Sequence, residues 1–212
     1  MFFLSDDLND FFQINGKQEH LPPYAPPFVF TPHNAVSFVP HQQVPNSILS
    51  DHSTSLDYSW TLSGPNSTNV ASNETSLIHN FTQVGEYDLA VNIIANITRF
   101  STVKQGKVSQ KIYIKAPISN VNIVGNNFVV NGSLLNLNIS CNGSSNFMIC
   151  YYFTESKANR SCFDRAKTLD TCFLPISHYF PQNGTHYLNI GIQNDVSEVM
   201  NNTKITIYKG SM

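Results

Sequence analysis

Apolar and polar residues alternate strictly over several stretches of this chain, and that period of two constrains its fold more than anything else in it. Leu56, Tyr58, Trp60 and Leu62 share one face while Asp57, Ser59 and Thr61 take the other. The same pattern sets Tyr87, Leu89, Val91 and Ile93 on one face, and Val108, Ile112 and Ile114 opposite Lys107 and Lys111. It restarts after Pro117 with Leu135, Leu137 and Ile139, then Leu188, Ile190 and Ile192, then Ile205 and Ile207. Successive side chains of a strand point to opposite faces, so each run reads as a half-buried β-strand. Turn formers separate the runs at Gly64-Pro65, Gly125-Asn126 and Asn183-Gly184. A short helix over 156–168 is compatible with Ala158, Arg160, Arg165, Ala166 and Lys167. The class is all-β.

An internal repeat sets the number of modules. Leu77-Ile78-His79-Asn80-Phe81-Thr82-Gln83-Val84-Gly85 returns 99 residues later as Ile176-Ser177-His178-Tyr179-Phe180-Pro181-Gln182-Asn183-Gly184. Beyond the glycine, Leu89, Val91 and Ile93 match Leu188, Ile190 and Ile192. A period near 100 residues is one immunoglobulin-sized sandwich rather than a solenoid unit. The expectation is two tandem immunoglobulin-like β-sandwiches, at 36–116 and 117–212, behind an irregular Pro-rich lead-in over 1–35. The first structured module should begin near Val36.

Charged residues are only 12% of the chain, and the net charge is −2. That balance lacks the basic excess of a nucleic-acid binder. Asparagine carries much of the polarity, and it is not randomly placed. Ten asparagines stand in N-x-S/T sequons: Asn66, Asn73, Asn80, Asn96, Asn131, Asn138, Asn142, Asn159, Asn183 and Asn201. With 25 Asn, and 37 Ser and Thr in 212 residues, chance gives roughly four. None carries Pro at the middle position. N-glycans would supply the solubility that charge does not.

Four cysteines, Cys141, Cys150, Cys162 and Cys172, lie within 32 residues with no C-x2-C pair. In a glycosylated chain this reads as two disulfides rather than a zinc site, with three connectivities open. Met1-Phe2-Phe3-Leu4 starts like a leader, but Asp6 and Asp7 interrupt it. The expectation is a fragment that lacks a leader, a membrane segment or both.

The string His79-x-Phe81-x-x-x-Gly85-x-Tyr87-x-Leu89-x-Val91 resembles the late-strand signature of polycystic kidney disease (PKD) domains. Tyr58-Ser59-Trp60 stands where such domains place their strand-C tryptophan, although the usual Asp/Gly-rich turn after it is replaced by Thr61-Leu62-Ser63-Gly64-Pro65-Asn66. Cys141-Asn142-Gly143-Ser144, Cys150, Cys172-Phe173-Leu174 and Tyr187-Leu188-Asn189-Ile190 resemble, in order, the cysteine-rich kringle-like domain that follows a PKD domain in one family. That family contains premelanosome protein, transmembrane glycoprotein NMB and transmembrane protein 130. Melanosomal members carry six cysteines there. Leu188 stands where one of them would follow the tyrosine, so one whole bridge is absent.

The resemblance implies the lumenal or extracellular part of a type I membrane glycoprotein, in the secretory or endolysosomal pathway, without enzyme activity or cofactor. Its partners would be other proteins or glycans, and its role adhesion, protein–protein interaction or sorting. In a sandwich of this type strand B ends beside the start of strand E, which favours Cys141–Cys172 with Cys150–Cys162. Two further readings stand beside it. One is a fibril or scaffold former, with 122–130 and 203–208 as exposed strand edges. The other is a carbohydrate-binding accessory module.

The remaining candidates are architectural. Trp60 reads as core, Tyr87 as a strand-start corner, and Gly85 and Gly184 as tight turns. The chain has no HExxH and no G-x-S-x-G, and His79 and His178 occupy equivalent places in the repeat. Lys104, Lys107, Lys111 and Lys115 form the one basic cluster, read as a solvated strand face.

Overall fold

The computed structural model describes residues 12–14, 28–33, 35–40, 54–65, 69–98, 101–157 and 161–210. The chain divides between Ile114 and Lys115 into two compact units. In the first unit the strands are β1 (Phe12–Ile14), β2 (Val29–Phe30), β3 (Ala35–Pro40), β4 (Thr54–Ser63), β5 (Asn69–Ser72), β6 (Leu77–Asn80), β7 (Gly85–Ile97) and β8 (Thr102–Ile114). In the second they are β9 (Ser119–Gly125), β10 (Phe128–Val130), β11 (Leu134–Asn142), β12 (Phe147–Thr154), β13 (Lys167–Leu169), β14 (Phe173–Tyr179), β15 (Gly184–Asn194) and β16 (Ser197–Tyr208).

The two units share one topology. The first pairs a sheet β1-β3-β6 with a sheet β2-β8-β7-β4-β5. The second pairs β9-β11-β14 with β10-β16-β15-β12-β13, which is the same order strand for strand. Even the one parallel pairing recurs, as β2 on β8 and β10 on β16. The short repeat in the sequence is thus the trace of a whole duplicated sandwich.

Alternation builds each core from the inward faces of two sheets. Val36, Phe38, Leu77 and Phe81 meet Trp60, Leu62, Leu89, Val91, Ile112 and Ile114 in the first unit. Leu135, Leu137, Ile139, Leu174 and Ile176 meet Phe147, Ile149, Leu188, Ile190, Ile192, Ile205 and Ile207 in the second. Each aliphatic side chain so buried stabilises its unit by about 1.5–3 kcal/mol.

Three expectations are corrected here. The first module does not begin at Val36. Phe12–Ile14 pairs antiparallel with β3, and Val29–Phe30 pairs parallel with the end of β8. Val29 and Phe30 are buried because they close one edge of the large sheet. The rest of the lead-in lies outside the described residues. Among the described residues of 156–168, where a helix is expected, the one helical element is a 3-10 turn, Phe163–Arg165. Ala166 is already extended, and Lys167–Leu169 pairs with β12, so no room remains for a longer helix.

The module boundary, expected at 116–117, falls two residues earlier because Ala116 is held by the second unit. Its N–H donates to Ser144 Oγ at 2.7 Å, and its carbonyl accepts from Asn194 Nδ2 at 3.0 Å. Asn194 is 2% exposed, and its Oδ1 accepts from the N–H groups of Val196 and Ser197. Ser197 Oγ in turn accepts from Ile118 N–H at 2.8 Å. A buried amide with every polar atom engaged pins the β15–β16 turn to the start of its own unit.

Candidate functional site

Two disulfides brace the second unit in different ways. Cys141 near the end of β11 joins Cys172 just before β14, with Cα atoms 5.3 Å apart and the Cys141 N–H donating to the Cys172 carbonyl. This bridge ties two neighbouring strands of the small sheet. Cys150 joins Cys162, with Cα atoms 5.8 Å apart. Cys150 lies opposite Gly191 on the outward face of the large sheet, so this second bridge pulls the chain around Phe163 over that face. Gly191 makes the close approach possible. A Cβ there would stand 3.0 Å from Cys150 Sγ and 3.1 Å from both Met200 Sδ and the Phe163 ring.

This cover lies over Gly191 in the middle of β15, which is buried continuously from Leu188 to Asn194. Beside it opens a cleft of about 850 Å³ whose lining includes Tyr151, Tyr152, Lys157, Asp164 and Arg165. Two phenols with fixed charges around them make a surface for polar and aromatic contact. Among the described residues, no three His, Cys, Asp or Glu side chains group to hold a metal ion.

The repeated motif is one packing device used twice. His79 meets the edge of Phe81 at 4.7 Å, and His178 meets Phe180 at 4.5 Å. Phe81 then packs on Tyr87 at 4.9 Å, and Phe180 on His186 at 4.6 Å. Gly85 and Gly184 adopt φ values of 151° and 149°. At Gly85 a Cβ would also stand 2.4 Å from the Pro65 ring. Tyr87 is buried, and its hydroxyl donates to the Gln83 carbonyl at 3.0 Å, closing the turn before β7. Trp60 is fully buried, and its Nε1 donates to the Glu74 carbonyl at 2.9 Å.

Burial holds the His79 imidazole below the ordinary histidine pKa. Burial does the same to His178, helped by the neighbouring His186. A histidine whose folded pKa is depressed takes up its proton more readily in the unfolded chain. Its contribution is therefore neutral above about pH 6.5 and destabilising as pH falls through that value towards the folded pKa. The expected result is a lower melting temperature at pH 5.5 than at pH 7.5. His178→Gln should narrow that difference; an unchanged difference would place the acid sensitivity elsewhere.

Eight of the ten sequon asparagines are described, and all eight reach solvent. Asn73, Asn80, Asn138, Asn142 and Asn183 are exposed, and Asn96, Asn131 and Asn201 are half-buried. The two almost fully buried asparagines, Asn189 and Asn194, belong to no sequon. Asn131 stands in a turn, Asn73 and Asn183 lie in the connections before β6 and β15, and Asn142 closes β11. Asn96 is different: it lies within β7 and its Nδ2 donates to Asp57 at 3.0 Å. Asn66 and Asn159 lie outside the described residues.

The lysine cluster does not form the open face expected of it. Lys111 is ion-paired to Glu86, both exposed, while Lys115 is half-buried against Asp195 in the second unit. Lys107 remains exposed, and the Lys104 side chain lies outside the described residues. The edge expected at 203–208 is also not free. Thr206, Ile207 and Tyr208 pair with β10 on one side, and Thr206 and Ile207 with β15 on the other. β9 does form an outer strand of its sheet.

The sequence missed three features: the Asn194 network, the covered face above Gly191, and the exposed aromatic pair Phe128 and Tyr208. The turn beside the first, Asp195-Val196, has no glycine and so gives no hairpin signal in the sequence. The other two depend on which strands become neighbours.

No protein-family model matches the chain, and no curated protein does. Solved structures do match. A fragment of the ICAM-5 ectodomain, domains D1–D4, is similar over 93% of this chain at 10% identity and a TM-score of 0.50. The chain spans 54% of that fragment. An amphioxus IgVJ-C2 molecule is similar over 84% of this chain and 99% of its own length, at 12% identity and a TM-score of 0.42. The duplicated strand order, with the ICAM-5 similarity, defines the fold as two tandem immunoglobulin-like β-sandwiches.

Proposed function

We propose that this chain is a non-catalytic segment of an extracellular or lumenal glycoprotein, membrane-anchored in its full-length form. It acts through its surfaces in adhesion, protein–protein interaction or sorting. The observation that carries the reading is the segregation of the asparagines. Every described sequon asparagine reaches solvent, whereas Asn189 and Asn194, the asparagines buried among the described residues, lie outside sequons. A glycan at any of the eight projects from the sandwich without opening a core. The two disulfides support the same compartment, since such bridges persist in oxidising surroundings. The resemblance to the premelanosome protein, transmembrane glycoprotein NMB and transmembrane protein 130 family adds the type I anchor to the proposal.

The test is secretion from eukaryotic cells behind a supplied signal peptide, followed by intact mass before and after enzymatic glycan removal. Several N-glycans are expected on the secreted chain, with no free thiol. An unglycosylated chain carrying free thiols would contradict the reading.

A further inference from the structure

We infer that the N-glycan on Asn131 is seated on an aromatic surface of the second unit, made by Phe128, Val130 and Tyr208, and covers it. The inference rests on the glycoprotein reading above and deepens it for one site.

The surface is open to solvent and lies beside a sequon. Phe128 is 52% exposed, Val130 49% and Tyr208 51%. Val130 lies opposite Tyr208 in the parallel pairing of β10 with β16, and Phe128 opposite Thr206. The Phe128 and Tyr208 rings stack with centroids 6.2 Å apart and planes 21° from parallel. Alternation places Phe128 and Val130 outward while Val129 packs on the core. Three apolar side chains therefore form one patch on the outward side of an edge strand.

Asn131 follows that strand directly, and its backbone is fixed beside the patch. Its N–H donates to the Tyr208 carbonyl at 2.7 Å. The turn then closes with the Ser133 N–H donating to the Val130 carbonyl at 3.0 Å, around Gly132 at φ 85°. The Asn131 backbone thus lies against the Tyr208 backbone and three residues from Phe128, which puts the patch within reach of a first sugar. N-acetylglucosamine presents a face of axial C–H groups, which carry partial positive charge. That face complements both the apolar area and the negative face of an aromatic ring.

A protein partner fits this patch less well. Three side chains fall far short of the roughly 800 Å² that each partner buries in a stable interface. A tethered sugar is also present at an effective concentration on the order of millimolar or above, which a free partner must overcome.

The experiment uses the secreted chain from eukaryotic cells, with site occupancy read by glycopeptide mass spectrometry and stability by thermal melting. Asn131 is expected to be occupied. Asn131→Gln should lower the melting temperature by about 4 °C or more. In a Phe128→Ala or Tyr208→Ala background the same change should cost about 1 °C or less, because the seat is gone. Trimming the wild-type glycans to a single N-acetylglucosamine should preserve the melting temperature, since the first sugar makes the contact.

An equal loss in both backgrounds would overturn the proposal. So would an empty Asn131 on a chain glycosylated at Asn73, Asn142 and Asn183, or glycosylated wild-type protein that self-associates through Phe128. A chain with no glycan at any sequon would overturn this proposal and the glycoprotein reading together.

Discussion

Replacing Cys141 and Cys172 together by alanine should lower the stability of the second unit by about 3.7 kcal/mol. That figure is the chain-entropy relation applied to a loop of 31 residues. In a unit of this size the melting temperature should fall by roughly 15–25 °C. The Cys150–Cys162 bridge closes a loop of only 12 residues, so the same change there should cost less, about 2.8 kcal/mol. The order matters as much as the size. The first bridge joins two strands of the small sheet, whereas the second holds a surface covering over Gly191. Urea denaturation followed by circular dichroism measures both. Trp60, the only tryptophan, lies in the first unit, so its fluorescence identifies that unit's part of the transition. A larger loss at Cys150 and Cys162 would mean that the covering supports the fold more than the strand pair does.

Trp60→Ala should cost the first unit about 3–5 kcal/mol, the range for emptying a large aromatic site in a core. Trp60 has no exposed surface, and its loss also orphans the Glu74 carbonyl. A small domain holds about 5–15 kcal/mol in total, so the variant should sit close to unfolding at room temperature. Trp60→Phe retains most of the volume and should recover more than half of the loss.

The second unit supplies an internal control. Tyr151 lies opposite Ile190 as Trp60 lies opposite Val91, and the repeat matches those two partners. Tyr151 is 37% exposed, so Tyr151→Ala should cost under about 1.5 kcal/mol. Circular dichroism in urea reads these variants. A Trp60→Ala loss below that of Tyr151→Ala would contradict the core assignment.

Long alternating runs were legible as strands because one face of each meets a core. Trp60, Leu89, Val91, Ile190 and Ile192 are buried on the inward faces their spacing predicts. The 99-residue repeat carried more than its length shows. Only about nine residues match visibly, yet all eight strands of each unit recur in order. Short strands were not legible. Val29–Phe30 and Phe128–Val130 are too short for a period to show, and both are defined by a parallel partner about 80 residues away.

Lys115 illustrates another limit. Its spacing put it on a solvated face with Lys107 and Lys111, but the first unit ends at Ile114, so Lys115 belongs to the second, where Asp195 pairs with it. Cys150 illustrates a third. A sequence shows that a cysteine can be bridged, but not that the bridge draws a loop across the outside of a sheet.

The most direct test of the account is a non-reducing peptide map of the secreted chain. In this sandwich β11 beside β14 brings Cys141 to Cys172, and the chain crossing the outer face brings Cys162 to Cys150. The map should show those two linked peptide pairs and no free cysteine. Cys141 joined to Cys150, or to Cys162, would contradict the strand arrangement on which the second unit and its proposed surfaces depend.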